Sequence, residues 1–249
     1  MSDNSGIEWT DATWNPVTGC TKISPGCLNC YAERFSERFR GVSGHPFENG
    51  FDLTLRPERL EQPLRWRRSR MIFVNSMSDL FHKHVPLHFI DAVFDTMEKA
   101  DWHEYQLLTK RSSRMRSYIN SRYAERPVPN HIWIGVSIED GARKSRVEHL
   151  RSTNATVRFV SIEPLIGAIS TLDLSEIHWV IVGGESGPKA RSMEEAWVVE
   201  IREQCLLAGV PFFFKQWGGF NSKAKGRLLQ GRVWNQWPAH ARIAIPAAE

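Results

Sequence analysis

Short apolar runs recur along this chain, each ending in polar residues and most followed by a stretch with helical spacing. The runs cover 71–74, 105–110, 131–139, 157–163, 177–185 and 210–217. Runs this short, apolar at nearly every position, read as strands buried on both faces, as in parallel sheets. Residues 7–14 supply a candidate for one further strand. After Pro86, set in a first helical turn, Phe89, Ile90, Val93, Phe94 and Met97 fall on one face at helical spacing. Residues 194–207 read as a helix stopped by Gly209, and 29–39 as another. Strand followed by helix, repeated, favours a parallel sheet with crossover connections. The expected fold is α/β, a partial or complete parallel β/α (TIM-like) barrel of about six to seven strands, with a doubly wound sheet as the alternative. No linker composition divides the chain, so 1–249 is expected to be one domain, with the tryptophan-containing 218–249 as an appendage packed on it.

In barrels the active site gathers at the C-terminal ends of the strands. Glu139, Glu163 and Glu185 each close an apolar run, in the strings Val-Ser-Ile-Glu, Val-Ser-Ile-Glu and Val-Gly-Gly-Glu. Asp79, Lys110 and Lys215 occupy corresponding ends of other runs. These six ionisable groups are expected around one mouth, where opposite charges would supply each other's partners. For each, the plainer reading of a salt bridge or helix cap stands beside the functional one. Ser137 and Ser161 share the sheet face of their glutamates by the period of two, either to bind ligand hydroxyls or to pack. Gly183-Gly184-Glu185-Ser186-Gly187-Pro188 is neither a Walker loop nor a dinucleotide fingerprint, and reads as a close backbone approach to a ligand or as a tight turn.

Three of the four cysteines lie in Cys20-Thr-Lys-Ile-Ser-Pro-Gly-Cys27-Leu-Asn-Cys30-Tyr31. The Cys-x2-Cys pair brings two thiolates to one centre, and Pro25-Gly26 turns the chain so that Cys20 can return as a third. Soft thiolates select iron-sulfur clusters, zinc or copper(I). Three ligands leave a position for His45, another histidine, Cys205, water or a substrate; Cys205, near Ile201 and Leu206, reads as core. His82-x-His84 reads either as a metal pair, which with Asp79 would suit a metal-dependent hydrolase and ranks last, or with His88 as surface or hydrogen-bonding histidines, the favoured reading.

A composition of 41% hydrophobic and 24% charged residues excludes a disordered chain. No apolar run approaches the roughly 20 residues that span a bilayer, and residues 1–6 lack a signal-peptide core, so a cytoplasmic protein without membrane attachment is expected. In a reducing compartment, clustered cysteines favour metal over disulfides. The net charge of +4 leaves Arg65, Arg67, Arg68 and Arg70 around Trp66, and Arg111 with Arg114 and Arg116, as either polyanion-binding patches or solvated faces.

Further strings add to these: Ile7-Glu8-Trp9-Thr10, Trp14-Asn15-Pro16, Asn75-Ser76-Met77-Ser78-Asp79-Leu80-Phe81, Leu107-Leu108-Thr109-Lys110-Arg111, Ile162-Glu163-Pro164-Leu165 and Phe214-Lys215-Gln216-Trp217-Gly218. With them the chain resembles the radical S-adenosylmethionine (SAM) superfamily, and more closely a phage-associated family of three-Cys-motif proteins within or near it. The superfamily's usual spacing is Cys-x3-Cys-x2-Cys, whereas six residues separate Cys20 from Cys27 here. The resemblance implies a 4Fe-4S cluster held by Cys20, Cys27 and Cys30, with one iron open to the amino and carboxylate groups of SAM. Reduction would cleave the sulfonium and give a 5′-deoxyadenosyl radical that abstracts hydrogen from a substrate. By the same analogy Tyr31 packs near adenine, Ser76, Ser78 and Asp79 meet the methionine moiety, and Ser137 and Glu139 approach the ribose. Glu163, Glu185 and Lys215 line the substrate side as catalytic candidates. The implied substrate is a nucleic acid or nucleotide, contacted by Arg65, Arg67, Arg68, Arg70 and Arg111, with repair, isomerisation or base modification as the reaction and a flavodoxin or ferredoxin as reductant. The competing expectation is a non-catalytic zinc-binding nucleic-acid-interaction protein, its site closed by the three cysteines and His45.

Overall fold

The computed structural model describes residues 5–221 and 225–239. Seven strands, β1 (Ala12–Trp14), β2 (Met71–Val74), β3 (Glu104–Thr109), β4 (Ile132–Ser137), β5 (Val157–Ile162), β6 (Trp179–Gly183) and β7 (Phe212–Gln216), lie side by side in chain order, every neighbouring pair parallel. The sheet curls into a half-barrel with helices around it, a partial TIM-like α/β fold. The helices are α1 (Tyr31–Glu37), α2 (Leu87–Lys99), α3 (Ser112–Arg122), α4 (Ser145–Arg151) and α5 (Glu195–Ala208). Pro86 stands one residue before α2, not inside its first turn, and Gly209 closes α5 in the left-handed conformation with φ 66°. None of these helices is long and apolar enough to cross a membrane.

Alternation along each strand sorts the side chains between two faces. On the outer face, residues such as Leu107, Ile134, Val160 and Val182 pack with Ile90, Val93 and Phe94 of α2 in the larger core cluster. The inner face is aromatic at its base: Trp9, Phe73, Trp133, Phe159, Trp179 and Phe213 form a second cluster. Trp179 meets Trp133 edge-on at 6.0 Å and Phe213 at 5.8 Å, the geometry that ring quadrupoles favour. Gly135, opposite Phe159 in register, makes this floor possible, because a Cβ there would stand 2.5 Å from the Phe159 ring. One layer up the inner face changes to hydroxyls, with Ser137 and Ser161 in register. Above them the strand ends carry Glu139 and Glu163.

Residues 222–224 and 240–249 of the expected appendage lie outside the described residues, as do residues 1–4. The described C-terminal segment forms a hairpin of Leu228–Leu229 with Arg232–Val233 and then runs beside β7, where Phe214 N–H donates to the Trp234 carbonyl at 2.9 Å. Trp237 then stacks on Trp179 at 4.8 Å.

Filling the Gly135 gap tests the floor. Gly135→Ala is expected to lower unfolding free energy by about 1–3 kcal/mol through overpacking, read as a shift of the urea midpoint at unchanged slope.

Candidate functional site

The cysteine loop crosses the C-terminal ends of the strands and is fastened there residue by residue. Gly19, with φ 78°, enters it where a Cβ would lie 2.2 Å from the Asp52 carbonyl oxygen, so the position requires glycine. A single tight turn over Pro25–Cys27 follows, and Cys30 stands immediately before α1.

The first fastening comes from β2 and β3. Asp79, just beyond β2, accepts from Thr109 Oγ1 at 2.7 Å and from Arg111 Nη1 at 3.1 Å. Arg111 in turn donates to Cys20 Sγ at 3.4 Å and to the Thr21 carbonyl at 3.0 Å. His82 Nε2 lies 2.9 Å from Thr21 Oγ1. Burial, helped by the nearby Arg111 charge, pushes the His82 imidazole down to about 4.

The second comes from β4. Glu139 is fully buried, accepting from Ser24 Oγ at 2.7 Å and from Arg146 Nη1 at 3.1 and 3.2 Å, with Lys110 Nζ at 3.5 Å. Gly26 lies flat on this side chain, where a Cβ would stand 2.3 Å from Glu139 Cγ. The third comes from β6. Glu185 Oε2 accepts from Asn29 Nδ2 at 2.9 Å and from Arg191 Nε at 2.9 Å, and Arg191 Nη2 donates to the Pro25 carbonyl at 3.0 Å. Burial raises the Glu185 carboxyl, but the bonds from Arg191 and Asn29 outweigh it and hold the group below its ordinary value.

The fourth network differs. Glu163 Oε1 pairs with Lys215 Nζ at 3.0 Å and Oε2 accepts from Ser161 Oγ at 3.1 Å. Gly183 leaves room for this carboxylate, since a Cβ there would come within 2.5 Å of Oε1.

Below the loop lies a cavity of about 470 Å³, a size usual for small-molecule sites. Cys20, Cys27 and Cys30 all line it, together with Tyr31, Ser76, Ser78, Asp79, Ser137, Glu163, Glu185 and Lys215. Tyr31 Oη donates to the Ser76 carbonyl, and Ser78 Oγ to the Val17 carbonyl at 2.8 Å. Glu139, expected at a ribose, lies under the loop and holds Ser24 instead of forming the cavity wall. Arg65, Arg67, Arg68 and Arg70 precede β2 and so sit toward the N-terminal end of the sheet, away from the cavity; Arg111 alone of the candidate nucleic-acid contacts reaches it. His45 stacks on Phe39 at 3.9 Å and accepts from Phe47 N–H, and Cys205 is buried in α5. Gly184 serves the backbone of its neighbour: a Cβ there would lie 2.1 Å from the Trp217 carbonyl oxygen.

The three thiols face the cavity without converging on a point. Among the described residues no three His, Cys, Asp or Glu side chains stand close enough to hold one metal ion. Burial, with Asp79 adding to it, pushes the Cys20 thiol up to about 11, and burial likewise raises Cys30. Arg111 and Lys110 act in the opposite direction, so cations are already placed where thiolate charge would develop.

Sequence reasoning passed over Ser24, Asn29, Arg146 and Arg191, which hold the loop, and Trp9, Phe73 and Leu108, which form the apolar wall of the cavity. The inward alternation of the strands marks Phe73 and Leu108. The loop contacts carry no local signal, because Ser24 to Glu139 and Asn29 to Glu185 span 115 and 156 positions.

Arg146→Met leaves Glu139 buried with its main partner removed, and is expected to cost about 3 kcal/mol and to speed alkylation of Cys27 by a maleimide reagent. A depressed folded-state value for His82 means that the unfolded chain binds the proton more readily. The contribution is complete above about pH 6.5 and is lost as pH falls toward 4. His82→Gln should therefore flatten the fall in urea stability between pH 7 and pH 5 by on the order of 1 kcal/mol.

Over residues 4–238 the chain matches the family described as "Protein of unknown function (DUF5131)". No curated protein matches it. Among solved structures it is similar to "Spore photoproduct lyase complexed with dinucleoside spore photoproduct", at 11% identity and a TM-score of 0.45, covering 76% of this chain and 58% of that one. The chain thus spans less than two thirds of that structure, and a likeness this loose says nothing about activity. The match that extends over nearly the whole length decides the family: the chain belongs to DUF5131.

Proposed function

We propose that this protein is a radical SAM-like enzyme that holds a 4Fe-4S cluster on Cys20, Cys27 and Cys30 and acts on a nucleic-acid or nucleotide-related substrate. One observation carries the reading: a loop bearing three cysteines is tied to three strand ends over a single cavity lined by all three. The donor set fits the group. Three soft thiols lining one cavity are the donor chemistry that such a cluster takes, and His45, stacked on Phe39, is engaged away from the loop.

When bound and reduced, such a cluster supplies the electron that cleaves SAM and starts hydrogen abstraction from the substrate. The chain's own residues do the rest. Arg111 and Lys110 offset the charge of Cys20 and Cys30, and the loop bonds fix where the thiolates stand. Tyr31, Ser76, Ser78 and Ser137, in the cavity wall, are the candidates for orienting SAM, while Asp79 and Glu139 act through the loop. Glu163 and Lys215 are left to the substrate, and Glu185 combines a place in the wall with its hold on Asn29. Trp9, Phe73 and Leu108 keep water from the base of the cavity.

Anaerobic reconstitution with iron and sulfide, followed by reduction in the presence of SAM, should yield 5′-deoxyadenosine. Cys27→Ala should lose the brown chromophore and the product together. A fully loaded, reducible cluster that leaves SAM intact would refute the proposal, and one tightly bound zinc in colourless protein would favour the zinc-binding alternative.

A further inference from the structure

The strand-end ion pairs divide unequally. The networks of Asp79, Glu139 and Glu185 each end on atoms of the cysteine loop: Thr21 and Cys20, Ser24, and Asn29 with Pro25. Among the described residues the pair of Glu163 with Lys215 makes no side-chain bond to that loop, and both of its side chains line the cavity. It is therefore the charged pair of this mouth whose partners leave it directed at whatever the cavity holds.

Its chemistry is specific. A carboxylate offers about four acceptor sites and an ammonium three donors, so after pairing with each other and with Ser161 both keep capacity toward a ligand. An acceptor and a donor 3.0 Å apart match a ligand edge on which N–H and C=O are neighbours. A carbonyl oxygen, with two lone pairs, meets an ammonium over a wider range of angles than a ring nitrogen with one. The cavity lining also holds Ile7, Trp9, Phe73 and Leu108, an apolar set that suits the face of a flat ring and leaves its polar edge to the pair.

We infer that Glu163 and Lys215 bind the lactam edge of a single planar heteroaromatic ring, such as a nucleobase of the uracil or guanine type, with Glu163 accepting from the ring N–H and Lys215 donating to the adjacent carbonyl. This deepens the proposed function and rests on it for the use of the cavity as a substrate site. The ring must enter alone, because a cavity of about 470 Å³ shared with SAM has no room for a stacked and paired duplex step.

The test is calorimetric titration of the reconstituted protein with uridine and with N3-methyluridine, with and without SAM. Uridine should bind, and blocking the ring N–H with methyl should weaken binding about tenfold or more, since a hydrogen bond to a charged group is lost. Lys215→Met should weaken uridine by a similar factor. Glu163→Leu, which has no acceptor, should bring the two ligands to near-equal affinity. Equal affinity of the two ligands for the unaltered protein, or no uridine binding at millimolar concentration, overturns the inference without recourse to any variant. Pair-dependent uridine binding in protein that never cleaves SAM would support this inference and refute the radical mechanism; SAM cleavage without discrimination between the ligands would do the reverse.

Discussion

A carboxylate removed from water must find its partners inside the protein, and Glu139 is the place where this constraint shapes the molecule. With no exposure at all, it is satisfied only when Ser24 of the cysteine loop, Arg146 of α4 and Lys110 beyond β3 arrive together. Gly26 must also lie on it without a side chain. Three segments distant in sequence, the cysteine loop, the end of β3 and the stretch from Glu139 to Arg146, are thereby held to one arrangement. Such a group contributes little net stability when complete, because desolvation offsets the Coulombic gain, yet it tolerates few alternatives. Its value is in specifying where the loop sits.

The rest of the mouth follows the same logic with different outcomes. Asp79 and Glu185 repeat the device through Arg111 and Arg191, so the loop is held from β2, β4 and β6. On the side of the thiols the loop is thus tied at three strand ends. On the other side, Glu163 and Lys215 stand over an aromatic floor and, among the described residues, their side chains bond to each other and to Ser161 and not to the loop. A loop fixed at three points facing a pair with remaining hydrogen-bond capacity is the division that the proposed chemistry would need, since positions must be fixed where charge develops and adaptable where ligands differ.

Much of this was legible along the chain. The apolar runs located six of the seven strands because strands buried on both faces leave an unbroken hydrophobic record, and β1 lies in the segment 7–14, the candidate for the further one. The paired Val-Ser-Ile-Glu strings foretold the layering of hydroxyl and acid, which the register of Ser137 with Ser161 realises. The C-terminal ends of the strands were visible as a charged mouth for the same reason. What the pattern hid was the use of each charge. Glu139 and Glu163 close identical strings, but one lies beneath Gly26 and the other faces the cavity, a difference set by where a distant loop lands. The arginines around Trp66 read as a patch in one dimension, and only the placement before β2 separates them from the mouth. Gly183 and Gly184, adjacent and alike in sequence, make room for a carboxylate and for a neighbouring backbone respectively.

The three fastenings also bear on the length of the cysteine loop. Six residues separate Cys20 from Cys27, and a longer tether ordinarily loses more chain entropy on closing, by about 0.6 kcal/mol for each doubling. Here the segment is not one free tether. Thr21 is held to Arg111, Ser24 to Glu139 and the Pro25 carbonyl to Arg191, so the chain between the first two cysteines is divided into spans of one to three residues. Once divided, the ordering cost belongs to those short spans, each matched to its own bond, and the distance between the cysteines in sequence ceases to measure the freedom of their sulfurs.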